Sequence, residues 1–129
     1  RAAGGRGARA LGASVVSAVI ANALLVCVKR RVRRMRPCER VFSTSWDMSP
    51  LGWFPSDRFS FPSGHTLNAF AIGSVLALAF PRAAPLVLVV ATNVAASRVV
   101  LGLHWLSDVL AGALAGVVIG TVVWLALLC

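Results

Sequence analysis

Charge is scarce in this chain. Only 13% of its 129 residues are charged, about half the share of an ordinary soluble domain. A soluble protein of this size would need far more polar surface, so composition argues against a soluble helical domain. Acid is scarcer still, with 4 Asp and Glu against 13 Lys and Arg, for a net charge of +9. The three cysteines, Cys27, Cys38 and Cys129, form no CxxC pair. With no even framework either, a disulfide scaffold is disfavoured, and the redox compartment stays open. A signal-peptide pattern is also missing, and the first residue is Arg rather than Met. The expectation is therefore an N-terminally truncated chain with further helices upstream.

What fills the sequence instead is apolar: 58% of it is hydrophobic. Residues 1–10 read as a flexible basic lead-in of Gly, Ala and Arg. Leu11 to Val28 is an apolar run of eighteen residues, just long enough to cross a hydrocarbon core at about 1.5 Å per residue. A basic extension follows, and Pro37 stops a helix at or before Arg36. Residues 38–61 read as an interfacial aromatic loop, with Trp46, Trp53, Phe54, Phe59 and Phe61 beside Pro50 and Pro55. Three more apolar segments run from His65 to Phe80, Leu86 to Leu103, and Trp105 to Cys129, the first of them short for a span. Small residues recur at four-residue spacing, Ala69, Gly73, Ala77 and then Gly112, Gly116, Gly120. Such stripes let helices approach closely in lipid. The expected fold is an all-α, polytopic transmembrane bundle of about four spanning helices, one domain over residues 1–129.

Seven of the thirteen basic residues lie between Lys29 and Arg40. Beside membrane-spanning segments such a run favours anionic lipid or phosphate over nucleic acid. Helix order makes this more specific. The first segment ends at Lys29, the second begins at His65, the third ends near Arg98 and the fourth begins near His104. In an up-and-down bundle these points share one membrane face, so Lys29, Arg36, His65, Arg98, His104 and Asp108 can meet in one pocket. Lys29 and Arg36, seven apart, share a helical face, and His104 and Asp108, four apart, stack on another. A carboxylate that accepts from one imidazole nitrogen leaves the other as a lone-pair nucleophile or base. Ser63 fits an N-cap, Gly64 admits close approach, and the helix start behind them favours an anion. Two histidines and an aspartate could hold a metal, but three neighbouring cations would repel it and suit phosphoryl oxygens instead. Read singly, each residue has a structural explanation; their coincidence at one face is the signal.

The pattern Lys29-x6-Arg36-Pro37, Pro62-Ser63-Gly64-His65 and Ser97-Arg98-x5-His104-x3-Asp108 resembles the three-part signature of the type 2 phosphatidic acid phosphatase superfamily. The resemblance covers about two-thirds of the chain, from Lys29 to Asp108. It implies a lipid phosphatase that needs no metal or other cofactor. Its substrate would be a lipid phosphate or diphosphate: phosphatidic acid, phosphatidylglycerophosphate or an isoprenyl diphosphate. It implies that His104 attacks phosphorus, Asp108 orients His104, and His65 protonates the leaving oxygen. Lys29, Arg36, Arg98, Ser63 and Gly64 would hold the phosphate, while Pro37, Pro62 and Ser97 shape the site. The membrane members have about six spans, against four counted here.

The competing reading is a non-catalytic membrane protein that binds anionic lipid through its basic segment. Arg30, Arg31, Arg33 and Arg34 lie outside the signature, so neutralising them separates the two readings. Sidedness is in conflict. The positive-inside rule counts seven cations after the first segment and favours a cytoplasmic site. The resemblance to bacterial membrane enzymes favours the outer face of the plasma membrane, which is the expectation taken here.

Overall fold

Among the described residues, apolar runs bounded by cations, prolines and a glycine turn become four helices. The computed structural model describes residues 2–37 and 59–128. Helix α1 spans Ala2–Val32, α2 spans Gly64–Ala79, α3 spans Ala84–Val100 and α4 spans Leu106–Ala126; a 3₁₀ turn, Pro81–Ala83, joins α2 to α3. Among the described residues there is no strand. Three stretches, Gly5–Val32, Pro81–Val100 and Leu106–Ala126, are long and apolar enough to cross a membrane, and α2 is a shorter apolar helix. The protein is an all-helical integral membrane bundle.

Two sequence expectations shift. Residues 2–10 are not a flexible lead-in but the first turns of α1. Ala and Arg there are good helix formers, and Ala10 and Ala13 pack against Val75, Ala79 and Trp124. At its other end α1 stops at Val32, short of Arg36, because Arg33 adopts a left-handed φ of 47°. Its amide caps the Lys29 carbonyl at 3.1 Å, an αL helix ending. The expected loop at 38–61 lies outside the described residues except for Phe59, Ser60 and Phe61.

The shortest helix is the hub. Helix α2 packs against α1, α3 and α4, whereas α1 and α3 do not meet. The large aliphatic side chains of α1, α3 and α4 point outward, as with Leu11, Val19, Leu86, Val90, Leu114 and Val122. Outward apolar faces suit lipid, where packing of small residues replaces the hydrophobic effect between helices. Many of the buried positions are accordingly small, with Ala13, Ser17 and Ala21 on α1, Ala71 and Gly73 on α2, and Gly112, Gly116 and Gly120 on α4, beside the larger Leu67, Val75 and Trp124. The α4 glycines lie on the α2 backbone. A Cβ at Gly112 would sit 2.8 Å from the Ser63 carbonyl oxygen, and one at Gly116 or Gly120 would overlap the Leu67 or Ala71 carbonyl. Gly73 faces Val87 and Ala91 of α3.

Candidate phosphate-binding active site

The tight α2–α4 contact draws the first residues of both helices together. The Ser63 amide donates to the Asp108 carbonyl at 3.0 Å. The turn before α4 does the same for α3: Gly102 takes a φ of 67°, and the amides of Leu103 and His104 both reach the Arg98 carbonyl, at 3.1 and 3.2 Å. A side chain at Gly102 would be strained in that conformation. The turn therefore folds His104 back onto Arg98, six residues earlier.

The stretch after α1 is tied to the same corner. Ser60 donates its amide to the Arg34 carbonyl at 2.8 Å and its hydroxyl to the Met35 carbonyl at 3.3 Å. The Trp105 indole also donates to the Met35 carbonyl, at 3.2 Å. Three segments far apart in sequence, 33–36, 60–63 and 103–108, are thus joined by hydrogen bonds to main-chain carbonyls.

Inside this corner a cavity of about 390 Å³ is lined by Lys29, Arg36, Gly64, His65, Arg98 and His104, with Asn22, Leu25, Asn68 and Leu103. Six of the sequence-derived site residues come together there. Arg36 arrives from extended chain after the helix rather than from the helical face the spacing implied. Ser63 and Asp108, both fully buried, stand behind the lining. The Ser63 hydroxyl pairs with the Thr66 hydroxyl at 3.0 Å rather than capping a helix amide. Pro62 is buried next to a cis bond after Phe61, and Pro37 ends the first described segment half-buried. Ser97 accepts from the Arg98 Nε at 3.2 Å and donates to the Val94 carbonyl, so it sets the Arg98 guanidinium from behind.

The two histidines differ. His104 is 5% exposed, and its Nδ1 lies 2.7 Å from the Ser60 carbonyl oxygen. A carbonyl only accepts, so Nδ1 carries the proton and Nε2 holds the lone pair. Asp108 Oδ2 is 3.9 Å from that Nδ1, beyond hydrogen-bond reach. The expected orienting carboxylate is therefore replaced in this geometry by a backbone carbonyl. Asp108 instead accepts from the Trp105 amide at 2.9 Å, as a capping residue of α4, and from Arg34 at 2.7 Å. Burial lowers the His104 pKa to about 4; the Ser60 hydrogen bond opposes this, the Arg36 charge adds to it, Asp108 opposes it and Lys29 adds to it. His104 is thus neutral at physiological pH. His65, by contrast, is exposed to the cavity.

Residues outside the signature complete the corner. Arg34 binds Asp108 and the Ser107 hydroxyl, each at 2.7 Å, and lies 5.6 Å from the centre of the Trp105 ring. It does not belong with Arg30, Arg31 and Arg33, among which sequence reading had placed it. Asn22 and Asn68 pair across the α1–α2 contact at 3.1 Å. A signal for them existed: each is a polar residue in an apolar helix, seven before Lys29 and three after His65. Among the described residues no three of His, Cys, Asp and Glu gather as a metal-binding group.

The arrangement defines a class: a membrane protein with three cations and two imidazoles around one cavity. The family model of the PAP2 superfamily matches residues 8–128, and the chain belongs to that superfamily. Among its relatives, decaprenylphosphoryl-5-phosphoribose phosphatase of Mycobacterium tuberculosis is 36% identical over 82% of this chain and 55% of its own length. Phosphatidylglycerophosphatase B of Bacillus subtilis is 33% identical over 66% of the chain and 42% of its own length. The crystal structure of a transmembrane PAP2-type phosphatidylglycerolphosphate phosphatase from Bacillus subtilis superposes with a TM-score of 0.62 at 29% identity, over 85% of this chain and 55% of that one. The chain thus spans about half the length of the relatives it matches.

Proposed function

We propose that this protein hydrolyses a phosphate or diphosphate ester of a membrane lipid through a phosphohistidine on His104, without a metal. The observation that carries the reading is the single cavity bounded by both imidazoles and by Lys29, Arg36 and Arg98. The cations hold the phosphoryl oxygens and offset the charge that develops in transfer. The lone pair of His104 Nε2 forms the P–N bond as the bond from phosphorus to the lipid oxygen breaks. His65 gives its proton to that departing oxygen. Water then attacks the phosphohistidine, losing a proton to His65; the P–N electrons return to Nε2 and inorganic phosphate leaves.

The buried Ser60 carbonyl holds the tautomer this chemistry needs, and Asp108 acts through Arg34 and the start of α4. Ser63 and the Gly64 amide add to the phosphate end, with Pro37, Pro62 and Ser97 behind it. A divalent ion would meet three cations here, so metal catalysis is disfavoured by charge.

The relatives carry their phosphate on different alcohols: a phosphoribose, the glycerol of a phosphatidylglycerophosphate and, in lipid A 1-phosphatase of Porphyromonas gingivalis, lipid A. The shared substrate class is a lipid phosphate. All three relatives are bacterial, which supports a bacterial plasma-membrane location.

The test is release of inorganic phosphate from a panel of lipid phosphates by the purified protein, with and without EDTA and vanadate. Release is expected to persist in EDTA and to stop with vanadate, which mimics pentacoordinate phosphorus. Activity that disappears in EDTA and returns with a divalent ion refutes the metal-free mechanism.

A further inference from the structure

We propose that Asn22 and Asn68 form a hydrogen-bond-accepting wall for the alcohol part of the substrate. The protein then favours a phosphate carried on a hydroxylated alcohol, a polyol or sugar, over one on a hydrocarbon chain or a fully esterified glycerol. This rests on the phosphatase reading of the same cavity.

Both amides line that cavity. Asn22 precedes Lys29 by two turns, about 10 Å along α1, and Asn68 lies one turn beyond His65 on α2. The amides therefore sit past the phosphate end, where the group esterified to phosphorus must go.

Their hydrogen bonds fix what they can recognise. Asn22 Nδ2 donates to the Ala18 carbonyl at 2.8 Å and to Asn68 Oδ1 at 3.1 Å. Asn68 Nδ2 donates to the Gly64 carbonyl at 3.0 Å and to Asn22 Oδ1 at 3.3 Å. Each nitrogen faces a backbone carbonyl, which settles the orientation of both amides. An amide nitrogen has two protons, and all four are used. Each amide oxygen accepts one bond and, among the described residues, keeps a second lone pair. The wall thus accepts and does not donate. It matches hydroxyl groups near the phosphoester, and it offers nothing to ester oxygens or an isoprenyl chain.

A plain interhelical contact would need the pair but not its place in the cavity. Asn22 is exposed and Asn68 half-buried, both open to the cavity.

The experiment compares kcat/KM for phosphate release by the purified protein in detergent. The substrates are phosphatidylglycerophosphate, which has a free hydroxyl beside its phosphate, the methyl ether of that hydroxyl, phosphatidic acid and a long-chain isoprenyl monophosphate. The wild-type protein is expected to favour the hydroxylated substrate about tenfold, the worth of a well-placed hydrogen bond in a shielded site. Asn22→Leu and Asn68→Leu are expected to remove that preference, lowering kcat/KM on the hydroxylated substrate about tenfold more than on the other three. Equal loss on every substrate would reduce the pair to a packing contact and overturn the proposal. Should the variants not fold, the methyl ether decides with wild-type protein alone: no loss on methylation overturns it. Absence of phosphate release from all four would instead sink the phosphatase reading beneath it.

Discussion

The two contacts that α2 makes with α4 and with α1 are built differently. Along α4, Gly112, Gly116 and Gly120 bring backbone onto backbone, with no room for even a methyl group. Along α1 the contact is closed around the fully buried Ala21, Leu67 and Ala71, but then it opens. The Asn22–Asn68 pair follows, and beyond it the cavity edged by Leu25, Lys29 and His65. The closed contact ends in anchored groups, Ser63, His104 and Asp108. The open one ends in the groups that line the cavity. One side of the hub fixes the backbone behind His104, and the other leaves the cavity open.

The sharpest test of that division is His104, which is anchored from behind by Ser60 and open to the cavity in front. His104→Ala is expected to lower phosphate release by at least about a thousandfold, or roughly 4 kcal/mol in the barrier. Circular dichroism should show the helix content unchanged. A variant that keeps a tenth of the wild-type rate would remove His104 as the nucleophile.

The closed contact itself breaks next. Gly116→Val must drive a branched side chain into the Leu67 carbonyl and Ala71 amide, at an expected cost of about 3 kcal/mol or more. Unfolding of the purified protein in detergent measures this, and activity should fall with it. Gly12→Val on α1, where an added Cβ meets nothing within 4 Å, is the control and is expected to shift stability by under about 0.5 kcal/mol. Similar costs at both sites would mean that backbone contact does not govern the assembly.

Arg34 joins the two sides. Its removal leaves the fully buried Asp108 without its ion-pair partner. Arg34→Ala is expected to cost roughly 2 kcal/mol, held down by the partial exposure of the arginine. It should also slow catalysis, since the segment carrying Arg36 is tied through the same residues. Arg30→Ala, at an exposed position in the last turn of α1, should change stability by less than about 0.5 kcal/mol. Equal effects from the two arginines would refute the distinction.

Much of this was legible in the sequence because membrane helices have a simple grammar. Apolar runs, prolines and cations placed four helices, and helix order alone brought Lys29, His65, Arg98 and His104 to one face. The glycine spacing of α4 identifies a close contact but not the candidate site that it reaches. Gly112 against the Ser63 carbonyl shows that the two meet. What could not be read was set by backbone atoms. The Ser60 carbonyl that holds His104 has no side-chain signature. The left-handed turn at Arg33 breaks the helix on which the Lys29–Arg36 spacing argument stood. Arg34 looks like one of the seven cations between Lys29 and Arg40, because only the folded chain sets Asp108 beside it.

Of the expected effects, the least visible in a routine assay is that of pH on His104. In the folded protein its pKa falls from the ordinary 6.5 to about 4, mainly through burial. The unfolded chain therefore binds a proton between pH 6.5 and 4 that the folded protein refuses. Stability contributed by this group is complete above pH 6.5 and is lost as pH falls toward 4. Catalysis follows the same sign. At pH 5 a histidine titrating at 6.5 would be about 3% neutral, whereas one titrating near 4 stays about 90% neutral and able to attack. An NMR titration of the His104 ring in micelles should show a neutral imidazole with Nδ1 protonated through pH 5. Arg36→Gln should raise its midpoint, since the Arg36 charge helps to depress it. A midpoint near 6.5 in the wild-type protein would mean that the ring is solvated, and that the closed side of the hub does not shield the residue it anchors.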